Sequence, residues 1–211
     1  MKFDLLGIGN ALVDVEVRVE DKFIEKNSLI KGGMTLSSIE NQKKILKELN
    51  DLSVKISSGG SAANTAHGLS VLGGKAYYLG RVANDKYGKY YTEDMQSCGV
   101  EFSGIGNELS DTGTCVVLVT PDGERTMLTH LGASSSLHHG DINEKIIEDS
   151  TMVYIEGYLW TGEETRKAAE KLAQIAKINN VPIAFTLSDA FVVNNFKKQL
   201  TNLVQQYRLN K

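Results

Sequence analysis

The stretch Ser57–Gly74, SSGGSAANTAHGLSVLGG, decides how the rest of the chain is read. Paired glycines open it, small and apolar residues follow, and paired glycines close it. Gly59 and Gly60 can take backbone angles that other residues avoid. Ser61 is expected as an N-cap whose hydroxyl satisfies first-turn amides. Ala62, Ala63, Ala66, Leu69 and Leu72 supply helix propensity and an apolar side, and Gly73–Gly74 supplies the stop. So many small residues point to a helix that approaches its neighbours closely. Asn64, one turn in, is the odd polar residue. Two readings fit. One is a ligand held at the glycine-rich helix start; the other is a tight helix–sheet contact with Asn64 completing a cap. No Gly-Lys-Ser/Thr follows the glycines, which excludes a Walker A loop. GGSAAN also lacks the third glycine of a dinucleotide fingerprint.

Upstream, Phe3–Ile8 reads as a short apolar strand. Leu12–Val19 (LVDVEVRV) alternates, with valines on one side and Asp14, Glu16 and Arg18 on the other, as in a strand with one buried face. Asn10 and Asp14 are either polar ligands at a strand end or a turn residue and a solvated strand residue. Asp21–Asn27 is a short helical piece and MTLSS after Gly32–Gly33 is extended. Ser38 caps a helix over Ile39–Leu49, and Val54–Ser57 is a brief, weak strand.

Downstream, Ala76–Leu79 is a strand. Gly80–Asp85 is a loop in which Arg81 and Asp85 are candidate site residues, Asp85 being equally explained as the cap of a helix over Lys86–Cys98. Val100–Phe102 is another short strand. Thr114–Val119 and Glu124–Leu131 flank a Thr-Pro-Asp-Gly turn and form a hairpin. Together with Leu12–Val19 and Met34–Ser37 they make a small second sheet, one face of which needs cover. Asp141 is read as the cap of INEKIIEDS. From there strand and helix alternate: Met152–Ile155, the helix Glu163–Asn179 with a seam of Ala168, Leu172, Ile175 and Ile178, the strand Val181–Leu187 and the helix Phe196–Tyr207. That alternation is the signature of parallel α/β units. Ligands bind at the carboxyl ends of such strands, which gathers Asn10, Gly59–Asn64, Gly80–Asp85, Glu156–Tyr158 and Ser188–Asp189 on one edge.

Composition narrows the function classes. The 211 residues allow one substantial core, possibly with a smaller appendage. Hydrophobic content of 41% and charged content of 23% are ordinary for a soluble globular protein. A net charge of −3 without a basic cluster argues against nucleic acid. No apolar run is long enough for a membrane span, and no signal pattern opens the chain. Cys98 and Cys115 form no metal or disulfide framework, which fits a reducing cytoplasm. His67, His130, His138 and His139 make no metal motif, GYLWTG is not a nucleophile elbow, and the aromatics form no stacking platform.

GIGNALVD at Gly7–Asp14, SGGSAANTAHGLSVLGG at Ser58–Gly74 and GRVANDKYGKYY at Gly80–Tyr91 resemble the N-terminal part of PfkB-family small-molecule kinases, the ribokinase and adenosine kinase superfamily. LVTPDGERTMLTHLGAS at Leu118–Ser134, EGYLW at Glu156–Trp160 and LSDAFVV at Leu187–Val193 strengthen the resemblance, which runs to about residue 195. It implies a three-layer α/β/α fold with a mainly parallel sheet and a β-sheet lid from about 12–19, 33–37 and 112–131, residues 1–211 forming one incomplete ribokinase-like domain. It implies that Asp14 and Asn64 bind sugar or ribose hydroxyls with Asn10 beside them. Gly59 and Gly60 would let the loop approach the substrate, and Arg125 and Met127 would sit on the lid hairpin. The implied reaction moves the ATP γ-phosphoryl group to a hydroxyl of a sugar or nucleoside, helped by Mg2+, under a lid that excludes water and often pairs two copies. The family's Asn-x-x-Glu-type and Gly-Ala-Gly-Asp-type motifs do not occur in this sequence. The expectation is therefore an acceptor site and lid without the catalytic base or most of the ATP site. The rival is a non-catalytic sugar- or nucleoside-binding module, or a relic that dimerises through its lid.

Overall fold

The computed structural model describes residues 2–49, 52–102, 104–107 and 110–207. In chain order the strands are β1 (Leu5–Ile8), β2 (Leu12–Arg18), β3 (Met34–Leu36), β4 (Val54–Gly59), β5 (Ala76–Leu79), β6 (Arg81–Ala83), β7 (Glu101–Phe102), β8 (Ile105–Asn107), β9 (Gly113–Val119), β10 (Arg125–His130), β11 (Val153–Glu156) and β12 (Ile183–Thr186). The helices are α1 (Asp21–Lys26), α2 (Ile39–Glu48), α3 (Ser61–Val71), α4 (Lys86–Ser97), α5 (Glu144–Glu148), α6 (Glu163–Ile178) and α7 (Ala190–Tyr207).

Five strands form an all-parallel sheet in the order β12-β11-β1-β5-β7. Parallel strands need cover on both faces. Leu6, Ile8, Val153 and Ile155 face α6 and α7, whose Ala168, Leu172, Val192 and Leu200 share their core. The opposite face meets α3 and α4 through Ala62, Ala66, Tyr78, Tyr91 and Phe102. The small residues of α3 are explained here. A Cβ on Gly7 of β1 would lie 3.4 Å from the Tyr78 ring and 3.5 Å from the Ala62 carbonyl, so helix and sheet approach each other with almost no side chain between them.

The second sheet is mixed and has the order β3-β10-β9-β2-β4. The hairpin pairs Arg125–His130 against Thr114–Val119 antiparallel, and β9 runs parallel to β2. The back of this sheet carries Val17, Val116, Leu118 and Leu128 and packs on Ile45 and Leu49 of the α2 segment. Ser38 caps α2, its Oγ accepting from the Asn41 amide at 3.2 Å. Gln42, 2% exposed, pins the helix down: its Nε2 donates to the carbonyls of Thr114 and Leu128, and its Oε1 accepts from Thr114 Oγ1. The front of the sheet presents Leu12, Cys115, Val117 and Met127 towards the first sheet.

Several sequence expectations change. The lid holds a further strand, β4, which reads weakly because it is an edge strand with Val54 and Ile56 half exposed. The Gly80–Asp85 loop contains β6, paired with β8. Ser61 is not the N-cap of α3; Gly60 is, at φ +100°, and Ser61 is the first helical residue. Asp141 does not cap α5, a task taken by Asn143 through the Lys145 amide. Ile178, the last residue of α6, leaves the seam and is 68% exposed. The last helix begins at Ala190, six residues early, and bends at Phe196 (φ −122°).

Removing the Gln42 amide orphans polar groups inside the α2–lid contact. Gln42→Ala is expected to cost about 2–4 kcal/mol. Urea unfolding checks it, and a loss under 0.5 kcal/mol would show that α2 is held by apolar contact alone.

Candidate functional site

Among the described residues, a cleft of about 220 Å³ lies between the carboxyl ends of the parallel strands and the front of the lid sheet. Its floor is polar, with Asn10, Asp14, Gly60, Ser61, Asn64 and Glu156. Its ceiling is largely apolar, with Leu12, Met34, Leu36, Cys115, Met127 and Leu131, and Arg125 stands at the lid side. Five of the expected residues, Asn10, Asp14, Gly60, Asn64 and Met127, are brought together here. Gly59 is not among the lining residues.

The floor is organised by Glu156, which ends β11 and is 1% exposed. Its Oε1 accepts from the Asn10 backbone amide and from Asn10 Nδ2, both at 3.3 Å. Its Oε2 accepts from the Ala62 amide in the first turn of α3 at 3.0 Å. The carboxylate therefore replaces the Ser61 cap with one delivered from another strand, at the helix end where negative charge is favoured. Burial pushes the Glu156 carboxyl up, and the amides of Ala62 and Asn10 pull it back. Three N–H donors on two oxygens suit the ionised form. With Nδ2 committed, Asn10 has its carbonyl oxygen left to offer a ligand.

The paired glycines serve this floor from within. A Cβ on Gly59 would overlap the Asp14 carboxylate, and one on Gly60 would overlap the Asn10 carbonyl. Asp14 can thus lie flat over the loop while β2 and β4 stay paired. Burial raises its pKa to about 6 against the opposing charge of Arg125, with Glu16 adding a little to the rise. Arg125 Nη2 stands 3.9 Å from Asp14 Oδ2. A carboxylate held this way is a strong acceptor for ligand hydroxyls and incurs a folding cost when empty.

Two sequence candidates have structural tasks elsewhere. Arg81 forms a bidentate pair with Asp141 at 2.7 and 2.8 Å, both side chains largely buried. Asp85 caps α4 through the Gly88 amide and also receives the amide and hydroxyl of Thr112. Burial raises its pKa, but these bonds outweigh it and hold the carboxyl low. Glu156, Tyr158 and Ser188, which the sequence places on the same sheet edge without naming them as ligands, also line the cleft. Their signal in the sequence is position, at the carboxyl end of β11 or two residues past β11 and β12. Among the described residues no group of three or more His, Cys, Asp or Glu is arranged to hold a metal ion, and no helix is long and apolar enough to cross a membrane.

Asp14 makes stability depend on pH in a defined direction. With 3.8 its ordinary value and about 6 its value in the fold, the unfolded chain gives up this proton first as pH rises. Stability therefore falls from about pH 4 to pH 6 by up to about 3 kcal/mol from this group. Asp14→Asn is expected to flatten that slope and raise Tm at pH 7.5, as a thermal scan across pH 4–8 would show; an unchanged slope would refute the assignment. Glu156→Gln puts an NH2 against one of three amide donors. It should cost about 2–3 kcal/mol, read by urea unfolding, with increased amide exchange at Ala62.

The profile described as pfkB family carbohydrate kinase matches residues 34–211. The adenosine kinase of Saccharomyces cerevisiae is 30% identical over 213 residues, covering 97% of this chain and 62% of that protein. The guanosine-inosine kinase of Escherichia coli K12 is 29% identical over 90% of this chain and 46% of its own length. Among solved structures, the adenosine kinase from Sinorhizobium meliloti superposes with a TM-score of 0.94 at 36% identity, over 100% of this chain and 64% of that one. A probable sugar kinase from Rhizobium etli gives 0.94 at 34% identity over 99% and 63%. The chain spans less than two thirds of each of these proteins. By profile, by sequence and by its ribokinase-like α/β fold, this chain belongs to the pfkB family of carbohydrate kinases.

Proposed function

We propose that the cleft is the acceptor site of an ATP-dependent kinase that phosphorylates a hydroxyl of a nucleoside or sugar. The observation that carries this is the polar floor under an apolar ceiling. Asp14, Asn10 and Asn64 offer acceptors and an amide to adjacent hydroxyls, and Leu12, Leu36 and Met127 offer a surface for a flat ring. A nucleoside has both parts, a sugar alone only the first. The adenosine kinase and guanosine-inosine kinase names among the relatives support the nucleoside.

Phosphoryl transfer needs the acceptor hydroxyl held in line and the moving charge neutralised. This chain supplies the first through the floor. Arg125, 52% exposed beside Asp14, is the cation lining the cleft and can turn towards an anionic donor. The residues described do not fit a magnesium site: Glu156 is taken up by amides, and no carboxylate cluster accompanies Asp14. ATP and Mg2+ belong to the reading as co-substrate and metal that residues outside the cleft would have to hold. The chain is accordingly read as part of one ribokinase-like domain. The pairing of two copies through the lid would use the β4 edge, where Val54 and Ile56 are half exposed.

Calorimetric titration with adenosine, inosine, ribose and fructose tests the site. The expected result is binding of a nucleoside, weakened at least tenfold by Asp14→Ala and by Asn64→Ala, with no turnover by these 211 residues when ATP and Mg2+ are added. Absence of binding by all four would overturn the acceptor site. Turnover would overturn the division of labour.

A further inference from the structure

Helix α4 does more than cover the parallel sheet. Along one side it bonds to the last residues of β4, the strand that runs into the paired glycines. Tyr90 Oη donates to the Ile56 carbonyl and Tyr91 Oη to the Gly59 carbonyl, both at 3.0 Å. Asp94 Oδ2 accepts from the Ser58 amide at 3.2 Å and from Ser58 Oγ. Tyr91 and Asp94 stand one turn apart on the same face of the helix. They hold two consecutive residues, Ser58 and Gly59, where the chain leaves the lid sheet and turns into α3.

α4 is itself firmly seated. Asp85 caps it, and a Cβ on its Gly88 would overlap the Ala83 carbonyl, so the helix packs there on bare backbone. The Tyr91 ring is fully buried and meets Phe102 edge-on, with centroids 5.2 Å apart. Phenylalanine would fill the same space. A hydroxyl at that depth needs a partner, and it finds one in the Gly59 carbonyl. Burial also pushes the Tyr91 phenol well above its ordinary range, so it is a fixed donor between pH 4 and pH 8.

Gly59 is the residue on which Asp14 rests. A Cβ there would overlap all three atoms of the Asp14 carboxylate, so a shift of the Gly59 backbone uncovers that group directly. Pairing between β2 and β4 alone holds Gly59 weakly, since it is the last residue of its strand and strand ends fray.

We propose that Tyr91 and Asp94 are positioning residues of the acceptor site: through Gly59 and Ser58 they peg the loop on which Asp14 lies, so that Asp14 is in place before a ligand arrives. Neither residue lines the cleft. The proposal rests on Asp14 being the carboxylate that receives ligand hydroxyls. Holding it in place removes an ordering cost from binding.

The test compares Tyr91→Phe and Asp94→Ala with Tyr90→Phe, which loses only the bond to Ile56 and serves as the control. Two quantities are read. One is the titration midpoint of the Asp14 carboxyl, followed by carbon NMR of labelled aspartate and assigned by its loss in Asp14→Asn. The other is the affinity for adenosine and inosine by calorimetry. Asp14 faces Arg125, Glu16, Cys115 and the Tyr91 phenol, and Tyr91→Phe alters none of the first three. A loosened Gly59 admits water to the carboxylate. The midpoint, about 6 in the intact protein, is therefore expected to fall by at least about half a unit in Tyr91→Phe and in Asp94→Ala. Nucleoside binding is expected to weaken at least about fivefold in both, with Tyr90→Phe unchanged in either readout. Should Tyr91→Phe fail to fold, Asp94→Ala decides. A midpoint unchanged in the folded variants would overturn the peg. So would an equal fall in Tyr90→Phe, which makes α4 a general support, or a lowered midpoint with undiminished affinity. If the intact protein binds no nucleoside or sugar, the acceptor reading fails and the midpoint alone decides the peg.

Discussion

One buried carboxylate holds the working end of this molecule together. Glu156 leaves β11 and binds the turn between β1 and β2 through Asn10 with one oxygen. With the other it binds the start of α3 through Ala62. Three segments far apart in the chain are thereby fixed to one point. The geometry also shapes what surrounds it: a Cβ on Gly9 would lie 2.4 Å from Glu156 Oε2 and 3.0 Å from the Ala62 Cβ, so a side chain there would displace the carboxylate from its amides. A carboxyl group buried this deeply is tolerated because its oxygens are filled by amides. Those amides are the donors that a helix start and a tight turn would otherwise leave unsatisfied.

Asp14 follows a different logic. It lies over the bare backbone of Gly59, faces the cleft and has one distant cation, Arg125. Its raised pKa expresses a carboxylate that the fold by itself does not satisfy. Unsatisfied groups in an otherwise well-bonded protein concentrate where a ligand completes them. The contrast between Glu156, saturated from within, and Asp14, open to the cleft, separates the scaffold of the site from its working surface.

Much of this was legible in the sequence. The alternation of LVDVEVRV, the turn at Pro121–Gly123 and the helix α6 follow from local periodicity, and all three elements form, the α6 seam without Ile178. Local chemistry also placed the Ser38 and Asp85 caps. The errors lie where a partner distant in sequence takes over a local task. Ser61 has the right residue type and position for a cap, but Glu156, 94 residues away, occupies the amide. Asp141 looks like a cap and is the counter-ion of Arg81, 60 residues distant. β4 reads as a brief, weak strand, but its place in the lid follows from β2 offering a backbone edge and not from its own residues.

What the sequence determined by itself is most of the elements, β6 and β8 excepted, the polar residues at strand ends and the glycines that permit close approach, because each depends on residues within one or two turns of the chain. What only the tertiary structure decided is which of those polar groups meet. Asn10, Asp14 and Asn64 become one floor while Arg81 and Asp85 turn to structural bonds, since strand order and the crossing of the lid over the parallel sheet set distances that no local pattern encodes. The same holds for the two glycines at the centre of SSGGSAAN. Their freedom is written in the sequence, but that it is used to seat Asp14 and Asn10 follows from β2 and β4 lying side by side.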